Sequence, residues 1–244
     1  MSTNTEQSII EKVRAILELA NHPNTPQAEA ETAFTHAQKL ITKYNLDESA
    51  LLDAQNIEEG IEHGYIDIFG TYALRRLSVA GAVAKANSCA CYRTNVWDNK
   101  WSEGRNGNLV RAKQGQRLYI YGTAKDIFAT QVLWQAVEAL GLRKVPNGDR
   151  AFKNSWWHGF QSGVTKALNK ATKEIIQDTG DESVALVLRN RLERAQDELK
   201  ANVRLRSARS SGASRSDAYN AGRSAGESFS TGGLNRGAIG AIGR

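Results

Sequence analysis

The chain has 244 residues, of which 41% are apolar and 24% charged, the make-up of a globular protein long enough to bury its own core. No apolar run approaches the roughly 18 residues a membrane-spanning helix needs, and the N-terminus lacks the basic start and apolar stretch of a secretory signal. Net charge is +6, but residues 1–63 hold 11 acids and 4 bases, so an acidic head of −7 precedes a body of +13.

The head reads as a helical hairpin. Ile9, Ile10, Val13, Ile16, Leu17 and Ala20 recur at helical spacing. Asn21-His22-Pro23-Asn24 breaks the pattern, and Thr25 with Pro26 opens a second helix along Phe34, Ala37, Ile41 and Tyr44. Asp47 caps a short third helix, and residues 56–64 are acidic and weakly patterned.

The middle reads as α+β. Tyr65-Ile66-Asp67-Ile68-Phe69 alternates as a strand does. Leu74, Leu77, Ala80, Gly81 and Ala84 predict a helix with a small-residue face. Cys89 to Val96 alternates again, Asn106-Gly107 is a hairpin turn signal, and short strands are expected at Leu109–Arg111 and Arg117–Tyr121. Thr123 with Asp126 reads as a capping box for a helix whose stripe is Phe128, Ala129, Val132, Leu133, Ala136, Val137 and Leu140, and Gly141 reads as its stop.

The last third is helical. Trp156, Phe160, Gly163, Val164, Ala167, Leu168, Ala171 and Ile175 form one long stripe, ended by Gly180. Val184, Leu188, Leu192, Ala195 and Leu199 form another. Residues 201–244 hold eight Gly, eight Ser and seven Arg, a composition typical of disorder. Yet Ala218, Gly222 and Gly226 recur every fourth residue, as do Gly159 and Gly163. Small residues at that spacing let two helix backbones touch. A short helix near Asp217–Phe229, returning onto the Trp156–Ala167 helix, is therefore expected alongside the alternative of a flexible tail.

The predicted class is α+β: an N-terminal helical hairpin, a small mixed sheet with helices, and a helical C-terminal part with a Gly/Ser/Arg-rich end. The boundaries follow: an acidic helical domain at 1–56, a linker at 57–64, a basic α+β domain at 65–148, long helices at 149–200 packing on it, and a partly ordered tail at 201–244.

Lys12 to Ala20, Glu29 to Ala33, His36 to Ile41 and Tyr44 to Glu48 together make residues 8–50 resemble the family known as domain of unknown function 2786, found in bacteria and phages. The rest resembles the companion domain that often follows it in phage proteins, through Tyr119-Ile120-Tyr121-Gly122, Trp157 to Gly163, Ala218 to Gly226 and Arg236 to Gly240. The resemblance implies a phage-type origin and an ordered role for the glycine tail. It brings no activity and no catalytic residue.

Catalytic and metal chemistry find little support. His22, His36, His63 and His158 form no metal-binding spacing, and His158 is expected to be hydrogen-bonded within a helix interface. Cys89 and Cys91 alone cannot make a thiolate site, and two cysteines fit a reducing cytoplasm better than a disulfide scaffold. No nucleophile elbow occurs. Gly122-Thr123-Ala124-Lys125 lacks the glycine spacing of a phosphate loop and reads as a capped turn. Glu62, Asp67, Asp98 and Glu103 are the acids available to a Mg²⁺-dependent nuclease. No catalytic residue, metal site or cofactor is therefore expected.

Nucleic acid is the partner that the charge favours. Arg93, Trp97, Lys100, Trp101, Arg105, Arg111, Lys113 and Arg117 interleave bases with tryptophans, so that cations can meet phosphates and indoles can stack on bases. Trp97 and Trp101 can equally cover the core. Arg204, Arg206 and Arg209 offer a second basic surface, and arginine makes forked contacts to phosphate. The expected function is a phage-type accessory protein acting by binding, to nucleic acid or a nucleic-acid-handling complex, in the cytoplasm of the host cell and without a membrane. The alternatives are an inhibitor of a host enzyme or defence system, a metal-dependent nuclease or peptidase, and a virion component. Assembly into an oligomer stays open.

Overall fold

The computed structural model describes residues 60–104, 106–179, 183–206 and 212–229 continuously, with the head represented by positions 8, 11–13, 15, 16, 19, 22, 25, 26, 29, 32, 33, 36, 37 and 40. In the head, Ser8 to Leu19 and Glu29 to Leu40 are helical wherever they are described. Val13 and Ala37 are buried, as two stripes of a hairpin require. The Thr25 hydroxyl donates to the Leu19 carbonyl (2.6 Å), tying the turn back to the first helix. The third helix from Asp47, the first three residues of the 57–64 linker, Arg105, Arg209 and the end of the tail lie outside the described residues.

The body runs β1 (Glu62–Phe69), α1 (Ala73–Ala86), β2 (Ala90–Glu103), β3 (Leu109–Gly122), α2 (Ala124–Lys144), α3 (Arg150–Thr179), α4 (Ser183–Asn202) and α5 (Ser216–Glu227). Its three strands make an antiparallel sheet in the order β1-β3-β2. One sheet face carries Ile66, Ile68, Leu118 and Ile120, all buried in the cluster that also holds Leu77 and Val83 of α1 and Leu133 and Val137 of α2. Gly64 sits on that face because a side chain there would run into Ile127 of α2. Behind α1 lies α3, whose Trp156, Trp157 and Phe160 form a buried aromatic cluster, Trp156 stacked on Phe160 at 5.0 Å and Trp157 edge-on to both.

Several boundaries differ from the sequence pattern. β1 starts at Glu62, so it takes up residues expected in the linker. The two short strands expected before the helix are one strand, β3, because backbone pairing continues through the exposed stretch between them, where no apolar alternation is needed. Gly141 does not stop α2, which runs on to Lys144; it is a flat spot, since a Cβ there would come within 2.6 Å of the Trp157 ring. Thr123 caps α2, accepting from the Asp126 amide (3.2 Å). The Asp126 side chain is instead buried against Arg191 of α4, at 3.4 Å. Phe128 and Val132 are only half-buried, and Ile127, Thr130 and Trp134 face the core in their place.

The tail helix is where small residues predict it. Gly222 and Gly226 of α5 lie against the backbone of Trp156, Phe160 and Val164, while Gly159 and Gly163 of α3 lie against that of Tyr219, Arg223 and Glu227. A Cβ at any of the four would overlap a carbonyl oxygen of the opposite helix.

Candidate nucleic-acid interface

Side chains directly opposite in an antiparallel sheet share a face. The register therefore builds the second face in rows. His63, Tyr121 and Ala90 form one row, Tyr65, Tyr119 and Tyr92 the next, then Asp67, Arg117 and Thr94, then Phe69, Gly115 and Val96. The tyrosines make a ladder. Tyr92 stacks on Tyr119 at 4.9 Å and 10°, Tyr65 meets Tyr119 at 6.2 Å, and Tyr92 reaches Tyr121 at 6.3 Å. His63 stacks on Tyr121 at 5.8 Å. Burial and the neighbouring Tyr121 and Tyr119 hold the Tyr92 hydroxyl above its usual pKa. Gly115 leaves room for the ring of Phe69, which would meet a Cβ there at 2.9 Å.

Among the described residues, α4 covers one end of this face. Ala195 and Leu199 of α4 pack against Ala90 and Tyr121, with Tyr92 and Val203 at the margin. The Ser88 hydroxyl and Arg191 tie α4 down at that end, to the Leu188 carbonyl and Asp126 respectively. Beyond it the face is open: Tyr65 is 52% exposed, and Phe69 is exposed as well. From Tyr121 to Arg111, β3 extends about 33 Å at about 3.3 Å per residue.

The distal half of the β2–β3 hairpin projects from the sheet. Gly107 turns it with φ +73°, the left-handed conformation that the Asn-Gly signal anticipates. Trp97 is 46% and Trp101 63% exposed, so neither covers the core. Trp101 lies opposite Arg111, whose guanidinium sits 5.7 Å over the indole, while its Nε donates to the Asp98 carbonyl. Trp97 pairs with Lys113 after a bulge. Among the described residues, Lys100 and Lys113 have no acidic partner.

The candidate cations do not all converge. Arg117 is engaged by both carboxylate oxygens of Asp67 (2.6 Å each) and stacks on Tyr65 at 4.0 Å. It therefore stiffens the ladder rather than offering a free charge, and the Asp67 hydrogen bond holds its pKa still higher than usual. Arg93 lies opposite Leu118, on the other face, in a groove with Lys85 and Gln161. The basic residues between Arg93 and Arg117 thus lie on two sides of one sheet, because β2 alternates. Arg204 and Arg206 are exposed and follow Val203, at the covered end of the ladder. The sequence reading missed the tyrosines as a set. Tyr65, Tyr92 and Tyr119 come from three strands, and only cross-strand register reveals that they share a face.

Other chemistry finds no assembled site. Among the described residues, no three His, Cys, Asp or Glu side chains lie close enough to hold a metal ion, so Glu62, Asp67, Asp98 and Glu103 are not gathered. Where Gly122-Thr123-Ala124-Lys125 might have held a phosphate, the start of α2 has Asp126 and its partner Arg191. His158 lies edge-on to Tyr219 of α5, but its buried Nδ1 has no hydrogen-bond partner among the described residues, contrary to the bonded histidine expected there. Burial, then Arg75, lowers its pKa. Cys89 is buried beside the Thr130 hydroxyl, and burial raises its thiol pKa far above the usual value, which makes it a poor nucleophile.

No helix among the described residues is long and apolar enough to cross a membrane. No curated protein and no solved structure matches the chain. Residues 8–48 match the family model described as a protein of unknown function (DUF2786), and the match stops short of the body. The head of this chain is thus similar to the DUF2786 family over that segment, ahead of an α+β body whose sheet carries a row of tyrosines.

Proposed function

We propose that this protein acts by binding single-stranded nucleic acid along the open face of its sheet. One observation carries the reading: the Tyr65–Tyr119–Tyr92 row, exposed at Tyr65 and half-buried at Tyr119 and Tyr92, lies beside a hairpin that holds exposed tryptophans and two lysines with no acidic partner among the described residues. Soluble proteins seldom leave contiguous aromatic surface in water without a use for it. Bases stack on aromatic rings for about 1–3 kcal/mol each, and a duplex keeps those base faces occupied. Lys100 and Lys113 at one end, with Arg204 and Arg206 at the other, supply the charge a phosphate backbone needs. The acidic head and basic body fit the same reading, since the charge that attracts a polyanion is concentrated in the body.

The test is fluorescence anisotropy of labelled single strands and duplexes. With about four phosphates neutralised, affinity for a single strand should fall about 50-fold between 50 and 200 mM salt. Tyr65→Ala and Tyr92→Ala should each weaken single-strand binding by about fivefold or more, the loss of one stacked base. Binding that is flat in salt, equal for duplex and single strand, or indifferent to both substitutions overturns the proposal.

A further inference from the structure

A cleft of about 1060 Å³ lies on the other side of the hairpin's foot. Its walls are the Gly70–Arg75 turn into α1, Lys113 to Gln116 of β3, and the first turn of α3 around Arg150 and Asn154. The segment entering α5 closes its outer side, held there by the Ser155 hydroxyl, which accepts from the amides of Ser214 and Arg215 (3.1 Å each). The volume is at the upper end of ordinary ligand sites, about 300–1,000 Å³.

Four observations give the cleft a chemistry. Among the described residues, its lining contains Arg75, Lys113 and Arg150 and no carboxylate. Lys113 and Arg150 have no acidic partner among the described residues. The N-terminus of α1 opens on it without a cap: Tyr72, at φ +58°, gives no side-chain hydrogen bond, and the first turn has no acid. Free amides at the start of a helix attract anions. Finally, Gln116 in the wall is 1% exposed, and its Oε1 has no hydrogen-bond partner among the described residues, although its Nε2 donates to Asn95 (3.0 Å). Such an acceptor calls for a donor. Inorganic phosphate at neutral pH keeps a P–OH that can donate but fills little of a cleft this size, whereas a nucleotide couples its phosphate to ribose hydroxyls and ring amino groups and spans more of it.

We propose that this cleft binds a nucleotide, its phosphate on Lys113, Arg150 and the α1 amides, and a hydroxyl or amino donor toward Gln116. The inference deepens the single-strand reading, because Lys113 belongs to both the hairpin and the cleft. A free mononucleotide and the phosphorylated end of a strand share this chemistry.

The test is titration of the full chain with adenosine 5′-monophosphate and, separately, with inorganic phosphate. A parallel arm compares one single-stranded oligonucleotide with and without a 5′-phosphate. Two variants probe the site. Arg150→Glu reverses an exposed charge. Leu74→Asp places an acid in the first turn of α1, which favours the helix while repelling a bound phosphate; Leu74 is exposed, so folding is spared. Saturable binding of the mononucleotide, weakened about tenfold or more by either variant, supports a free-nucleotide site. A preference of the strand for its 5′-phosphate, lost in both variants, supports a strand-end site. If neither the mononucleotide nor the 5′-phosphate makes a difference, or if inorganic phosphate binds as tightly as the nucleotide, the cleft proposal falls. Oligonucleotide binding that still depends on Tyr65 and Tyr92 then leaves the tyrosine face standing. Mononucleotide binding without any strand binding retains the cleft and overturns the tyrosine face.

Discussion

The α3–α5 seam and the open sheet face use their side chains in opposite ways. At the seam, Gly159, Gly163, Gly222 and Gly226 remove side chains so that two backbones touch, and Trp156, Trp157 and Phe160 fill the space behind. On the sheet, Tyr65, Tyr92 and Tyr119 stand side by side on three paired strands, and Tyr65, with Arg117 over one face of its ring, stays half exposed. Six aromatic rings are thus divided between a closed and an open surface. The contrast teaches that aromatic content alone says nothing about function; what matters is whether a neighbouring element covers the ring.

The largest expected effect separates the two surfaces by stability. Trp156→Ala should cost about 3–5 kcal/mol, as emptying a filled core site does. Trp101→Ala, on the exposed hairpin, should stay within about 0.5 kcal/mol. Urea denaturation of both variants measures this; similar losses would break the comparison.

A glycine substitution sharpens the comparison from the opposite side. Gly159→Ala adds one methyl where the Tyr219 carbonyl already lies, and backbone cannot swing aside as a side chain can. We expect a loss of about 3 kcal/mol, the upper end for overpacking, which lowers Tm by about 6–12 °C in a chain of this size. Gly115→Ala on the sheet meets the Phe69 ring and the Ile68 carbonyl, and its smaller loss should be accompanied by weaker strand binding. Calorimetry on the pair reads both, and a neutral Gly159→Ala would mean that α5 does not pack as described.

The smallest effect is a pH dependence of the seam. Glu227 accepts from Arg223 (2.8 Å) and Lys166 (3.2 Å), and these two, Arg223 first, pull its pKa below the ordinary 4.5. A carboxylate with a lowered pKa stabilises the fold above the ordinary value and loses that contribution as pH falls through the lowered one. Glu227→Gln should therefore flatten the decline of Tm below pH 4.5 while changing little at neutral pH. The Glu227 side chain is partly exposed and screened by solvent, so the change is slight, and a wild-type and variant decline that superimpose would remove the carboxylate from the seam's stability.

Much of the helical part was legible in sequence. The four-residue spacing of small residues anticipates both α5 and the helix it returns to, because close approach depends on what a side chain lacks. The Asn-Gly turn and the Thr123 cap are equally local, and both are where the pattern puts them. Gly141 misled because a helix-ending glycine and a glycine flattened under a tryptophan look alike until Trp157 is in place. Asp126 misled for a related reason: its partner, Arg191, is supplied by a distant helix.

The candidate site was legible only in part. Trp97, Lys100, Trp101 and Lys113 stand on the hairpin the sequence suggested, but Arg117 is taken up by Asp67 and Arg93 turns to the other face. Local order in this chain, such as helix phase, turn chemistry and the glycine seam's spacing, follows from the sequence by itself, since each depends on neighbours a few residues apart. The tyrosine ladder, the neutralised Arg117 and the cleft beside Gln116 were decided by tertiary structure alone, because strand register and distant packing bring together residues whose separation along the chain carries no signal of contact.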